Sequence, residues 1–356
     1  MKNFFKNKKV IITGHTGFKG SWLALWLNYM GAKVMGISIN YPTEPSNFKA
    51  LKIENKINHK ILDVRNYKEI SKQIFKFKPD YLFHLAAEAI VQKSYQDPKK
   101  TWETNTLGTI NILETLKNYK KNIIAIIITS DKVYKNTETS KGYKENDRLG
   151  SFDPYSASKA SADLAVQSYI ESFFKKKKNI RIAIARAGNV IGGGDWSTGR
   201  LIPDCVRQWS KNKTVVLSNP KSTRPWQHVL DILRGYILLA ISLKKNKSFN
   251  GEIFNFGPKK EKNVKEFQVI NIVKKMKDSW KKAKWKVKKN RNFFESKLLQ
   301  LDSKKANKKL NWQCLLNLKQ SIHFTLDWYK TYYKKSQNIF EFSINQIKQY
   351  EKITKQ

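Results

Sequence analysis

The feature that most constrains this chain is a glycine-rich turn between a short apolar strand pattern and a helical pattern near the N-terminus. The strand is predicted over residues 8–13, and it leads into Gly14-His-Thr-Gly-Phe-Lys-Gly20. A helical pattern follows directly from Ser21. A strand, a turn with glycines three apart and a helix form the unit that binds the pyrophosphate of a dinucleotide. The predicted cofactor contacts in this turn are Gly14, His15, Gly17, Phe18 and Gly20.

Alternating strand and helix patterns continue through the first half of the chain and predict an α/β fold, a doubly wound parallel sheet of the Rossmann type. Further strands are predicted at 33–40, up to 65, from 81, at 122–128 and at 180–186. We predict a dinucleotide-binding domain over 1–188 and a smaller C-terminal substrate-binding lobe over 189–356, intertwined with it. The strand near 215–217 and the helices near 228–243 are the candidates for packing back on the sheet.

The ends of the second, third and fourth strands predict the rest of the cofactor site. Asn40 stands where NAD-selective proteins often carry an acid, which leaves NAD against NADP open. Asp63 is a candidate to hydrogen-bond the adenine amino group, and an N-cap of the following helix is an equal alternative. Small side chains let the backbone approach a ring or a ribose. The predicted contacts here are Asp63, Val64, Ala86 and Ala87.

The composition excludes several classes of protein. No run of about 18 apolar residues is present for a membrane span, and the N-terminus has no signal-peptide pattern, so we expect a cytoplasmic location and no membrane partner. Two cysteines, Cys205 and Cys314, lie far apart in the sequence and predict neither a disulfide framework nor a metal site.

The formal net charge of +41 has two explanations. One is a nucleic acid or an anionic surface as partner, and the other is a compositional bias that places lysine at solvated positions. No nucleic-acid-binding motif is present and most cations are lysine rather than arginine, so we favour the bias and predict no nucleic-acid partner. A basic nucleic-acid-binding protein stays open as the non-enzymatic alternative.

Two short motifs predict a catalytic centre. Thr129-Ser-Asp-Lys-Val-Tyr134 follows a buried strand, so it is expected at the carboxyl edge of the sheet, where α/β proteins bind ligands. A helical pattern from Pro154 puts Tyr155 and Lys159 on one face. An ammonium beside a phenol favours the phenolate, so we expect the pKa of Tyr155 below its usual value of about 10. Such a tyrosine is a usable base for an alcohol.

Longer strings make the prediction more specific. They are G-H-T-G-F-K-G-S-W-L, S-D-K-V-Y, A-R-A-G-N-V-I-G-G-G-D-W, R-L-I-P-D and R-P-W-Q-H-V. With them the chain resembles, over nearly its whole length, the extended short-chain dehydrogenase/reductases that act on nucleotide-activated sugars. Within that family it is most similar to the sugar-nucleotide 4,6-dehydratases, with CDP-glucose as the expected substrate and deoxysugar or O-antigen biosynthesis as the expected setting.

The resemblance implies NAD as cofactor and a reaction in three steps: oxidation at carbon 4 of the hexose, loss of water across carbons 5 and 6, and return of the hydride to carbon 6. Tyr155 would take the proton of the 4-hydroxyl, with Lys159 holding the nicotinamide ribose and Ser130 bonded to the same substrate oxygen. Asp131 would be the acid of the elimination. Lys132 would be its base, where related dTDP-sugar dehydratases carry glutamate.

The resemblance also implies the substrate contacts and the assembly. Arg224 would grip the pyrophosphate bidentately, and each arginine has an ordinary surface ion pair as its alternative. The helices that carry Asn105 and Tyr155 would pair two copies into a homodimer. An epimerase or a plain dehydrogenase on a similar substrate is the enzymatic alternative. The predicted substrate contacts are Asn189, Arg200, Arg207, Arg224 and His228, and the glycines 192–194 are expected to be moulded around a ligand.

Overall fold

A computed structural model describes residues 1–138, 141–223, 226–258, 268–280, 283–288 and 299–354. Its strands are β1 Lys9–Thr13, β2 Lys33–Ser38, β3 Asn58–Ile61, β4 Tyr81–His84, β5 Ile123–Ile128, β6 Ile180–Ala187, β7 Val190–Ile191, β8 Val215–Leu217, β9 Gln227–His228, β10 Ile253–Phe256 and β11 Trp285–Val287.

The helices surround these strands. They are α1 Lys2–Phe5, α2 Phe18–Tyr29, α3 Asn47–Ala50, α4 Tyr67–Phe77, α5 Val91–Gln96, α6 Pro98–Trp102, α7 Gly108–Lys117, α8 Pro154–Tyr169, α9 Leu201–Trp209, α10 Val229–Lys245, α11 Val269–Ser279, α12 Lys304–Leu310, α13 Leu318–Lys334 and α14 Ile339–Ile353. A π-helical turn, Glu103–Leu107, joins α6 to α7, and a second, Ile170–Phe174, extends α8.

Seven strands form one parallel sheet in the order β10-β6-β5-β4-β1-β2-β3. The strand β5 shows why the sheet forms, because all six of its residues are apolar and buried. Successive side chains of a strand point to opposite faces. Accordingly, Ile124, Ile126 and Ile128 join one core cluster while Ile123, Ala125 and Ile127 join the other. The predicted doubly wound parallel sheet is confirmed.

The C-terminal half of the chain contributes to this sheet as well as to a smaller lobe. Strand β10 is the seventh strand, paired with β6, and α10 packs against β5 and β6. Strand β8 pairs with β11 in a separate two-stranded sheet, away from the large one. The division at residue 188 stays a prediction, with β10 and α10 built into the layer of the first domain. Of the helix predicted at 264–276, residues 264–267 lie outside the described residues.

The start of α8 is fixed by its sequence. Asp153 accepts a hydrogen bond from the Ser156 amide at 2.9 Å and so caps the helix, and Pro154 occupies the first turn, where its missing N–H costs nothing. Ser94 on α5 accepts the backbone N–H of Tyr155 at 3.1 Å, and the Asn105 amide donates to Ser158 at 2.9 Å. The helix is therefore held in register against its neighbours.

None of the helices in the described ranges is both long and apolar enough to cross a membrane.

Candidate active site

The glycine-rich turn has the shape that a dinucleotide requires. Gly14 has a φ of +76°, and a Cβ there would lie 2.8 Å from the Ala86 nitrogen. A Cβ on Gly20 would lie 2.1 Å from the Gly14 carbonyl oxygen, so this glycine lets α2 pack on β1. Gly17 caps α2 without a side-chain hydrogen bond, and its Cβ would meet only the Gly14 oxygen, at 3.3 Å. Amides of the first turn of α2 are thus free of side-chain caps, and the residues fit a pyrophosphate group.

Gly17 and Gly20 have different surroundings, so replacing each of them is expected to have a different effect. Gly17→Ala is expected to weaken NAD binding by about tenfold with stability nearly unchanged, because the methyl group would face the ligand rather than the protein. Gly20→Ala is expected to lower the free energy of unfolding by about 2 kcal/mol, because its methyl group overlaps backbone. Titration calorimetry and urea unfolding of both variants check this. Equal losses of stability would contradict it.

The His15 ring is held by side chains of the protein itself. It is fully buried, its Nδ1 lies 2.9 Å from the Ser38 hydroxyl and its Nε2 lies 2.6 Å from Nδ1 of His59. Burial lowers the pKa of His15 to about 4, so the ring is neutral and fixes the turn against β2 and β3. Any contact of this residue with the cofactor is left to its backbone. Phe18 is half-buried, and its ring packs near Gly192.

At the predicted adenine side of the site, Arg65 forms two ion pairs that were not predicted. The Asp63 carboxylate accepts from the Arg65 backbone at 2.9 Å and from its guanidinium at 2.7 Å, and Arg65 also reaches Glu103. The N-cap of α4 is Asn66, so the alternative role of Asp63 as that cap was wrong. Val64 is buried against Gly108.

Ala86 and Ala87 follow the end of β4 and are partly exposed at the carboxyl edge of the sheet. The Ala86 amide donates to the Thr13 hydroxyl at 3.2 Å. Their roles as cofactor contacts, like those of Asp63 and Val64, stay predictions.

The predicted catalytic residues meet at the end of β5. Ser130 caps a single 3-10 turn, Asp131–Val133; its hydroxyl donates to Asp131 at 3.0 Å and accepts from the Lys132 amide at 3.2 Å. The phenol of Tyr155 interacts with the side chain of Ser130. Ser130, Asp131, Tyr155 and Lys159 are each less than a tenth exposed, whereas Lys132 is half-buried.

The pKa of Tyr155 is shifted in the direction opposite to the one expected from the sequence. Burial raises it to about 12, and an interaction with the Ser130 side chain only partly opposes that rise. The Lys159 ammonium donates to the Ile128 carbonyl at 3.2 Å, and burial, followed by the charge of Lys19, lowers the pKa of Lys159 to about 7. The expected lowering was wrong for the protein alone, because desolvation of the phenol is the largest effect on its pKa.

Two charged residues that the sequence analysis did not assign belong to this centre. Lys19, in the first turn of α2, interacts electrostatically with Asp131, Asp195 and Arg200, and burial lowers its pKa to about 8. Asp195 is buried and pairs with Arg200 at 2.8 Å. Their positions within motifs were the sequence signal that could have identified them. Lys19 lies between two glycines of the turn, and Asp195 directly follows three glycines.

The repulsion between Lys19 and Lys159 predicts a shifted pH profile. Lys159 is charged below its pKa of about 7 and neutral above it. Lys19→Met removes the neighbouring positive charge, so the pKa of Lys159 should rise and its ammonium should persist to higher pH. The alkaline limb of kcat/KM, measured with saturating NAD, should move upward by about one pH unit. Lys100→Met, at an exposed site, serves as the control. An unmoved limb would disprove the coupling.

The predicted substrate contacts are only partly brought together. Arg200 lies near Tyr155, with its side chain partly exposed. Arg207 pairs with Asp204 at 2.8 Å and donates to the Trp196 carbonyl. The Asn189 carbonyl accepts from the Gln227 amide at 3.1 Å, and Asn189 is half-buried. Arg224 lies outside the described residues.

His228 is fully buried and caps α10 by accepting the Leu230 amide at 3.3 Å. Its ring packs edge-on to Phe324, and burial lowers its pKa to about 3. This side chain therefore exposes no atom for a substrate, and its place in the sequence motif reflects helix capping.

The three glycines after β7 are moulded around the protein's own side chains. A Cβ on Gly192 would lie 2.6 Å from Val229, one on Gly193 would lie 2.1 Å from the Trp328 ring, and one on Gly194 would lie 2.2 Å from Asn47. The Trp22 indole donates to the Gly193 carbonyl at 2.8 Å. The loop is thus clamped between α2, α10 and α13, and the expected moulding around a ligand is not what requires these glycines.

Comparison with known proteins identifies the family. The model of the GDP-mannose 4,6 dehydratase family matches residues 11–325. The chain belongs to this family. It is 42% identical over 337 residues to CDP-glucose 4,6-dehydratase of Salmonella typhimurium, covering 93% of each chain. It is 32% identical over 285 residues to dTDP-D-glucose 4,6-dehydratase of Dictyostelium discoideum, covering 74% of this chain and 60% of that one.

Solved structures of other proteins share the fold. Epimerase Mth375 of Methanothermobacter thermautotrophicus superposes with a TM-score of 0.80 at 22% identity, covering 94% of this chain and 95% of that one. The dTDP-glucose 4,6-dehydratase of Bacillus anthracis, in complex with NAD, superposes with a TM-score of 0.73 at 21% identity, covering 91% and 97%.

Proposed function

We propose that this protein is an NAD-dependent lyase that converts CDP-glucose to CDP-4-keto-6-deoxyglucose and water. The observation that carries the proposal is the buried cluster of Ser130, Asp131, Tyr155 and Lys159 beside the dinucleotide turn, in a chain 42% identical to a CDP-glucose 4,6-dehydratase. The cluster provides a base for an alcohol, and the Asp131-Lys132 pair provides groups for an elimination. Bound NAD would supply the hydride acceptor for oxidation and the hydride donor for the final reduction.

In the proposed reaction, each proton transfer is carried out by a different residue. The Tyr155 phenol, which interacts with Ser130, takes the proton of the 4-hydroxyl. The ketone formed at carbon 4 makes the proton at carbon 5 acidic, and Lys132 removes it. Asp131, buried and bonded to Ser130, gives a proton to the departing 6-hydroxyl, which leaves as water. Lys159 holds the nicotinamide ribose.

An isotope experiment tests the reaction and the substrate together. The protein with NAD is incubated with CDP-, dTDP-, UDP- and GDP-glucose deuterated at carbon 4, and products are measured by mass spectrometry. We expect the CDP sugar to lose the mass of one water and to carry the deuterium at carbon 6. No water loss from CDP-glucose, or an equal rate on all four sugars, would refute the assignment.

The alternatives give different products in the same experiment. An epimerase returns an isomer of unchanged mass, and a dehydrogenase accumulates NADH. Lys132→Met separates oxidation from elimination: if Lys132 is the base, the variant should oxidise carbon 4 and stop, with NADH absorbance appearing without loss of water. A variant that still eliminates water at the parental rate would remove Lys132 from the mechanism and leave the function standing.

We further propose a homodimer formed through neighbouring helices of the α5–α8 region. Four large side chains there are about half exposed, a pattern typical of interaction surfaces: Tyr95 53%, Trp102 41%, Leu107 52% and Leu164 55%. Light scattering should give twice the chain mass of 41.6 kDa, and Leu164→Glu should shift the protein toward the monomer. A monomer in the unaltered protein would contradict this. The cytoplasmic location and the role in deoxysugar or O-antigen biosynthesis stay predictions.

A further inference from the structure

The loops at one edge of the large sheet are rich in lysine. All segments that lead into the strands of a parallel sheet lie on the same edge, here called the amino edge, opposite the carboxyl edge that holds the active site. The segments that lead into the seven strands contain twelve lysines and three acidic residues. These lysines are Lys6, Lys8, Lys52, Lys56, Lys78, Lys120, Lys121, Lys175, Lys176, Lys177, Lys178 and Lys247.

At the carboxyl edge, acidic residues outnumber basic ones. The segments 14–17, 39–46, 62–66, 85–90, 129–153 and 188–200, which follow six of the seven strands, contain nine acidic residues, four lysines and three arginines. A uniform preference for lysine at solvated positions would enrich both edges alike. Helix dipoles account for part of the difference, since helix C-termini favour a cation. They do not account for four consecutive lysines in the segment 175–178, which follows a single helix end.

Several of these cations are not neutralised by neighbouring acids. Lys8, Lys178 and Lys244 are exposed, and none of the ion pairs found in the described ranges involves them. Together with Arg181 they line a recess of about 160 Å³ in which Asp80 is the acidic residue. Arg181 is held there by the carbonyl oxygens of Leu243 and Lys244, at 2.7 and 3.0 Å. The recess is therefore a preformed positive pocket within the amino edge.

The shape and chemistry of this face favour one kind of partner. Seven strands about 4.8 Å apart make it roughly 30 Å wide. Two aromatic rings near it are covered by ammonium groups, with Lys9 over Phe77 at 5.6 Å and Lys245 over Phe4 at 5.1 Å. Base-specific reading of a duplex uses arginine forks, whereas lysines bind the phosphates of any nucleic acid without reading its sequence. A lysine surface of this width matches the spread phosphates of lipid headgroups.

We propose that the amino edge is a docking surface for an anionic phospholipid membrane. Bound in this way, the protein keeps the opposite, carboxyl edge and its active site directed toward solution. The inference does not depend on which nucleotide sugar is the substrate. A uniform compositional bias does not by itself account for the unequal charge of the two edges.

Vesicle binding by the full-length protein tests the proposal. Sedimentation is measured with vesicles of phosphatidylcholine alone and with about one third phosphatidylglycerol, at low and high salt. We expect binding only to the anionic vesicles, lost at high salt. Lys8→Glu/Lys178→Glu/Lys244→Glu should weaken it by on the order of 100-fold, since each lysine near such a surface contributes about fivefold.

The matched control carries the same change of charge elsewhere. Lys213→Glu/Lys286→Glu/Lys319→Glu alters three exposed lysines of the C-terminal half, and it should keep vesicle affinity within about threefold of the parent. Unchanged dehydratase turnover and thermal unfolding show that both triple variants are folded. Equal losses in the two variants, absence of binding to anionic vesicles, or tighter binding to poly(U) or duplex DNA than to vesicles would each overturn the proposal.

Discussion

Tyr155→Phe is expected to lower kcat on CDP-glucose by about a thousandfold while NAD binding and thermal stability stay close to the parent values. In the proposed mechanism the phenol oxygen takes the substrate proton, and it interacts with the side chain of Ser130. Phenylalanine keeps the ring and the packing of α8 but cannot accept a proton. Single-turnover measurements of NADH formation with CDP-glucose, alongside calorimetric titration of NAD, check both halves of the expectation.

Tyr169→Phe is the matched control on the same helix. Its hydroxyl donates to Glu114 at 2.6 Å, on a surface separate from the catalytic cluster. This variant should retain kcat within about twofold and lose at most about 1 kcal/mol of stability. If Tyr155→Phe keeps more than a tenth of the parental turnover, Tyr155 is not the base and the proposed chemistry fails at its first step.

Arg186→Met is expected to lower the free energy of unfolding by about 3–5 kcal/mol. Arg186 and Asp163 are almost completely buried, and the guanidinium holds both carboxylate oxygens at 2.7 and 2.8 Å. It also donates to the Tyr134 hydroxyl and the Glu145 carbonyl, each at 2.8 Å. Removing it leaves a buried carboxylate without its counter-ion, and it separates β6 and α8 from the segment that follows the predicted catalytic turn.

Two further variants identify the cause of that loss. Arg65→Met breaks a partly exposed ion pair and should cost about 1 kcal/mol or less. Arg186→Met/Asp163→Leu removes both buried charges and should recover a large part of the stability that the single variant loses. Urea unfolding at neutral pH measures all three. A double variant no more stable than the single one would show that packing, rather than the unpaired charge, accounts for the cost.

The elements of the fold could be predicted because their causes are local. The apolar run of β5, the glycine spacing before α2 and the capping residues before α8 each act within a few positions of the chain. The boundaries of β6 and α10 differed from expectation by only a few residues for the same reason. The spacing of Tyr155 and Lys159 likewise fixed their common helix face, since four residues make about one helical turn.

Neither the pKa shifts of the site residues nor the complete set of those residues could be predicted in this way. Whether the pKa of Tyr155 rises or falls depends on how much water the surrounding elements remove, and those elements come from all parts of the chain. His15 and His228 lie in motifs that suggested ligand contacts, yet packing against β2, β3 and α13 buries both rings. The spacing of residues along the sequence does not indicate whether a ring is buried in this way.

By itself, then, the sequence determined a parallel α/β sheet with a dinucleotide turn and a tyrosine–lysine pair, because strand alternation, helix periodicity and turn geometry are properties of neighbouring residues. The tertiary structure alone decided that Lys19 and Asp195 join the catalytic cluster beside Arg200, and that the lysine-rich loops leading into the strands lie at the edge opposite to it. Both outcomes follow from the parallel order of the strands, which brings together residues more than a hundred positions apart and sorts every loop to one edge or the other.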